Sequence, residues 1–150
     1  MAVATGGYIG YIPVAPGTWG SVLGVAVYWL VSALPLSAAL LLTALLAAVA
    51  VWIAHQAEII LRTQDPGQIV IDEVIGMMVA LTALPMLPMV WIAAFFLFRF
   101  FDILKPFPIG YLEKKCPGGL GIVIDDVIAG VAANLLLRVL LIFEVPPLIG

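Results

Sequence analysis

Charge is scarce in this chain. Charged residues make up 10% of its 150 residues, and mean hydropathy is +1.24, whereas soluble domains carry about 25% charge. That balance excludes an ordinary soluble domain and points to an integral membrane protein. Six Lys and Arg form no basic stripe, so a nucleic-acid partner is not expected. A lone cysteine, Cys116, excludes an intramolecular disulfide and reads as a loop residue. The N-terminus lacks the basic segment of a secretory signal, so the first apolar run is expected to be retained. No polar or charge-rich linker divides the chain, and residues 1–150 are expected to form a single domain.

What is abundant is apolar sequence punctuated by proline. The runs are Val22 to Ala54, broken at Pro35; Val74 to Phe98, broken at Pro85 and Pro88; and Val127 to Phe143. A bilayer core of about 30 Å needs roughly 20 helical residues, so the first run is too long for one span and reads as a hairpin. This gives helices near 21–34 and 37–55. The middle run could be one kinked span or two shorter helices turning over Leu84 to Pro88, and charge placement favours the second, a hairpin. Its two ends, and with them Arg62, Arg99, Lys105, Lys114 and Lys115, then lie on one side, as the positive-inside rule requires of a cytoplasmic face. The expected fold is an all-α, polytopic membrane bundle of about five helices with proline-containing hairpin turns, the last near 125–143. Several apolar runs are short, so their helices are expected to continue through polar residues above the hydrocarbon. Arg138, inside the last segment, is expected to snorkel toward the outer headgroups.

Against that background, five carboxylates stand in three groups at the edges of the apolar segments: Asp72 with Glu73, Asp102, and Asp125 with Asp126. Charges there are costly unless paired, hydrated or bound to a cation, which marks them as functional candidates. Hard oxygen ligands without clustered His or Cys favour Mg²⁺ over Zn²⁺. Arg99, Asp102 and Lys105 recur every third residue, a row in which an acid can hold an ion while two bases neutralise phosphoryl oxygens; an internally paired helix end fits the same spacing. Acids at helix starts also serve as caps, which is the plain alternative for each adjacent pair. Thr18 and Ser21, in PVAPGTWGS, stand where a helix start could bind an anion or where either hydroxyl could cap it. His55 closes the expected second helix, as a cap or as a base. The four Trp residues read as interfacial or packing groups.

Taken together, PVAPGTWGS, HQAE, DPGQIVIDEVIGMMVAL, FRFFDILKPFPIGYLEKK and PGGLGIVIDDVIAGV resemble, in order and spacing, the bacterial phosphatidylglycerophosphatase A family from about Gly10 to Gly130. The resemblance implies a Mg²⁺-dependent inner-membrane enzyme that converts phosphatidylglycerophosphate to phosphatidylglycerol. It carries over Asp72, Glu73, Asp102, Asp125 and Asp126 as catalytic and metal-holding positions, and Arg99, Lys105, Thr18, Ser21 and His55 as phosphate-binding ones. The DPG segment replaces a more polar loop expected before IVIDE. Attack by water and attack through a phospho-aspartyl intermediate both remain open. Rival readings are a broader lipid phosphomonoesterase acting on phosphatidic acid, a carboxylate-based cation transporter, which should hold its acids nearer mid-segment, and a non-enzymatic membrane adaptor. The DGxxAR...GxxxDxxxD pattern of CDP-alcohol phosphotransferases is absent.

Overall fold

The computed structural model describes residues 1–144, all of whose regular structure is helical. Six helices follow a short 3-10 turn at Ile9–Tyr11: α1 (Pro16–Val31), α2 (Leu36–Leu61), α3 (Ile71–Leu81), α4 (Pro88–Leu104), α5 (Ile109–Lys115) and α6 (Gly119–Glu144). The all-helical expectation holds, with one helix more than anticipated. The extra one is α5, a two-turn segment between Pro108 at its N-cap and Lys114 and Lys115 in its last turn. It is too short to cross a bilayer, and its mixed composition hid it among loop residues.

The proline breaks fall where they were expected. Pro35 precedes α2, and α3 and α4 are separate helices joined by Thr82–Leu87, with Pro88 opening α4. The ends of three helices reach farther than the apolar runs. α1 begins at Pro16, where the fixed φ of proline suits the first helical position. α2 runs six residues past His55, so His55 is not its cap. α6 begins at Gly119, which places Asp125 and Asp126 in its second turn and removes capping as their role.

α3 is the axis of the bundle, packed on α1, α2, α4 and α6. It is also the shortest of these helices, at about 16 Å, and both ends are tied down. At its start the Val70 and Ile71 amides donate to the Ala4 carbonyl at 2.9 and 3.2 Å. Beyond its end Asn134 Nδ2 donates to the carbonyls of Ala80 and Thr82, at 2.8 and 2.9 Å. Arg138 donates to Asn134 Oδ1 and to the Thr82 and Ala83 carbonyls. Arg138 therefore turns back to the carbonyls at the C-cap of α3 and just beyond it, Thr82 and Ala83, instead of snorkelling outward: the end of a short helix leaves carbonyls that need donors.

Small residues let the other helices approach this axis, as is common among membrane helices. A Cβ added at Gly24 would lie 2.7 Å from Met77 Cβ, and one at Gly76 would lie 2.6 Å from the Phe98 ring. Gly130 stands against the Gly76 carbonyl and Val79. The outer surface is apolar: Trp29, Leu41, Trp52, Phe96 and Ile142 are exposed while Ser21, Thr43, Asp72, Asp125 and Asp126 are buried. α2 and α6 are long and apolar enough to cross a membrane, and this inside-out distribution suits lipid as the solvent.

Candidate active site

Because α3 and α6 meet at glycines, their polar turns are held side by side. Asp72 and Glu73 occupy the first turn of α3, and Asp126 comes from the second turn of α6. One carboxylate oxygen from each lies within 4.8 Å of the other two. Asp72 and Asp126 are buried, and Asp72 Oδ1, Glu73 Oε2 and Asp126 Oδ2 have no hydrogen-bond partner. Three buried acceptors without donors would be strongly unfavourable as mutually repelling anions. A divalent cation resolves all three at once, and an all-oxygen donor set fits a hard ion such as Mg²⁺.

The other two predicted carboxylates stand beside this cluster, each already paired. Arg99 Nη1 donates to Asp102 Oδ2 across one turn of α4, leaving Arg99 Nε buried and without a partner. Lys105 leaves the expected row: it is the left-handed C-cap of α4 at φ 45°, and that turn swings its amine across to α5 and α6. There Lys105 Nζ donates to Asp125 Oδ2 at 2.7 Å and to Glu113 Oε1 at 2.9 Å. Burial opposes the charge on this amine, but the hydrogen bonds to Asp125 and Glu113 outweigh it and raise the Lys105 pKa. Asp125 Oδ1 accepts in turn from the Asp126 amide at 2.9 Å. A chain of contacts thus links Glu113, Lys105 and Asp125 to the backbone that carries Asp126.

The start of α1 closes the cluster from one side. A Cβ at Gly17 would lie 2.5 Å from Glu73 Oε1 and 3.1 Å from Arg99 Nη1, so only glycine lets the α1 backbone pass so near both groups. Ser21 is buried, and its hydroxyl donates to the Gly17 carbonyl at 2.9 Å, which commits its only proton to its own helix. Thr18 lies in the first turn of α1, partly exposed, and the N-cap is Ala15. Neither hydroxyl caps the helix. His55 is exposed on α2 and packs on Gly118 and Gly119, about two helical turns along α6 from Asp126, so the fold does not bring it into the carboxylate cluster.

Three polar groups that the sequence pattern did not single out also gather here. Glu113 holds Lys105, and Glu58 accepts from the Asp65 amide at 2.8 Å. With Gln64 and Lys114 they line a polar groove of about 470 Å³ that climbs past Gly121 and Ile122 toward Asp125. Burial raises the Asp65 pKa, partly offset by the Lys105 charge. An acid between tyrosine and lysines in GYLEKK was the available signal for Glu113, but only the fold of α5 turns it toward Lys105.

The sequence profile of the phosphatidylglycerophosphatase A family matches residues 2–141. A phosphatidylglycerophosphatase A of Haemophilus influenzae is 44% identical over 133 residues, covering 87% of this chain and 82% of that protein. Its Escherichia coli namesake is 39% identical over 130 residues, covering 86% and 76%. A Bacteroides thetaiotaomicron protein, provisionally named phosphatidylinositol-3-phosphatase, is 38% identical over 150 residues, covering 93% and 91%. No solved structure matches. A profile match across nearly the whole chain, together with two relatives of the same name at this identity, establishes that the chain belongs to the phosphatidylglycerophosphatase A family.

Proposed function

We propose that this chain is a single membrane-embedded phosphatase domain that hydrolyses phosphatidylglycerophosphate to phosphatidylglycerol and inorganic phosphate, with Mg²⁺ as its cofactor. It works at the cytoplasmic face of the bacterial inner membrane, in the synthesis of phosphatidylglycerol and cardiolipin. Family membership supports a phosphatase acting on a lipid. The observation that carries the metal-dependent reading is the convergence of Asp72, Glu73 and Asp126, with three orphaned oxygens, beside Arg99.

In this reading Asp72, Glu73 and Asp126 hold the ion. When bound, Mg²⁺ supplies positive charge against the phosphomonoester dianion and polarises its phosphorus. Arg99 offers its unpartnered Nε to a phosphoryl oxygen, and Asp102 fixes the guanidinium by accepting a hydrogen bond from its Nη1. Lys105 acts through Asp125 as a positioning residue, since both of its observed partners are acids. Overall one ester P–O bond breaks. Water supplies a hydroxyl to phosphorus and a proton to the departing glycerol oxygen.

The test is phosphate release by the detergent-solubilised protein from phosphatidylglycerophosphate and from phosphatidic acid, with Mg²⁺ and with chelator. Release from phosphatidylglycerophosphate that stops with chelator is expected, and no release from either lipid would sink the enzyme reading. Comparable rates on both lipids would favour the broader lipid phosphomonoesterase, a reading to which the differently named Bacteroides relative lends weight.

A further inference from the structure

Two apolar hollows join end to end on the outer surface between α1 and α4. The one farther from the carboxylates has a volume of about 780 Å³ and reaches Trp29 and Pro88; the nearer one, about 260 Å³, reaches Phe95 and Phe96. Val22, Val25 and Trp91 line both, so they form one groove. Residues three and four apart share a helix face. The stripe Val25, Val22 on α1 therefore continues one turn on to Thr18, and the stripe Trp91, Phe95 on α4 continues one turn on to Arg99. At that end the α1 backbone at Gly17 rests against Glu73 and the Arg99 guanidinium. The two walls of the groove are thus the helix faces that lead on to the candidate active site.

Its length and its polar end both suit a lipid. From Pro88 to Arg99 α4 rises about 16 Å, close to half of the roughly 30 Å hydrocarbon core, which is the depth of one leaflet. A second apolar groove, of about 380 Å³ between α2 and α6, leads instead to Arg138 at the far end of α3. Arg138 already donates from Nε and Nη2 to Asn134, Thr82 and Ala83, whereas Arg99 keeps a buried Nε without a partner. We propose that the α1–α4 groove seats one acyl chain of the lipid phosphomonoester and so delivers its headgroup to Arg99 and the three carboxylates. This rests on the phosphatase reading and adds to it the route by which a lipid reaches the site from the bilayer.

The experiment has two arms. In the first, Val22→Trp and Val25→Trp fill the groove, and Leu41→Trp, on the outward face of α2, is the control. kcat/KM is measured in detergent on diacyl phosphatidylglycerophosphate and on the same headgroup phosphomonoester after deacylation. Both groove variants should lower the diacyl-to-deacylated ratio about tenfold, the worth of a few methylene contacts, and the control should keep it. In the second arm the unsubstituted protein in vesicles is photolysed with phosphatidylglycerophosphate carrying a diazirine in one acyl chain. Label should concentrate on the peptides holding Val22 to Ala26 and Trp91 to Phe96 and be displaced by excess unlabelled lipid. This arm decides the matter if a groove variant does not fold or the deacylated substrate is not turned over. Phosphate release with label spread over the outer faces of α2 and α6 and unchanged ratios overturns the groove while leaving the phosphatase reading intact. No phosphate release, with displaceable label still confined to the groove, sinks the phosphatase reading and keeps the groove as a lipid site.

Discussion

Gly17→Ala is the smallest change that separates the chemistry of this protein from its fold. The added methyl would sit 2.5 Å from Glu73 Oε1 and 3.1 and 3.3 Å from the two terminal nitrogens of Arg99. Ordinary contact begins at 3.4 Å, so the carboxylate must retreat by about 0.9 Å and the guanidinium by a few tenths. Those atoms are the ends of side chains, which can move, and Ala is favoured over Gly in a helix by about 0.5–1 kcal/mol. The melting temperature in detergent should therefore stay level or rise slightly. Function should not survive as well, because catalytic groups tolerate displacements of only about 0.5 Å and a misplacement of 1 Å can cost about 10² in rate. The expected result is a fall in kcat/KM for phosphatidylglycerophosphate of about 10- to 100-fold at unchanged stability. Gly67→Ala, where nothing lies within 4 Å of the new Cβ, should change neither quantity. If Gly17→Ala folds and keeps full turnover, Glu73 and Arg99 do not act where the structure places them, and the site must be sought elsewhere.

Other outcomes follow from the same geometry. Asp72→Asn, Glu73→Gln or Asp126→Asn should abolish phosphate release with partial recovery at raised Mg²⁺, because an amide oxygen is a poorer ligand for a hard cation; Mg²⁺ should also raise the melting temperature of the unsubstituted protein more than that of the variants. Arg99→Ala should lower kcat/KM by about 10² to 10³, and excess Mg²⁺ should not restore it, since the loss is of charge on the phosphoryl oxygens. Gly130→Ala should destabilise the protein by about 1–3 kcal/mol in thermal or denaturant unfolding, because its methyl meets the Gly76 carbonyl and Val79 where neither backbone can retreat. Single cysteines at Gln64 and Lys114, in a background lacking Cys116, should both label from the cytoplasmic side; labelling from opposite sides would dismantle the hairpin topology.

Much of this protein was legible in its sequence because bilayer and backbone constraints act locally. Apolar runs interrupted at Pro35, Pro85 and Pro88 favour antiparallel helices once charge placement is added, since proline kinks or breaks a helix and lipid admits no unpaired backbone. The scarcity of charge made each carboxylate conspicuous, and the one-sided Lys and Arg brought Asp72, Asp102 and Asp125 to one end of the bundle. Helix limits were less legible, because α2 and α6 extend through polar residues on the strength of packing that composition does not display.

Tertiary structure alone decided how the polar residues divide their work. Asp125 and Asp126 are neighbours in sequence, yet one faces Lys105 and the other the α3 carboxylates, because helical residues one apart diverge by roughly 100°. Lys105 leaves the row of Arg99 and Asp102 because a left-handed turn before Pro106 redirects it to α5 and α6. Arg138 serves the end of α3 because that short helix ends inside the bundle, a need set by four neighbouring helices and invisible in its own residues. Which acids share an ion depends on where two helices cross, and that crossing rests on Gly76 and Gly130, residues with no chemistry of their own to announce it.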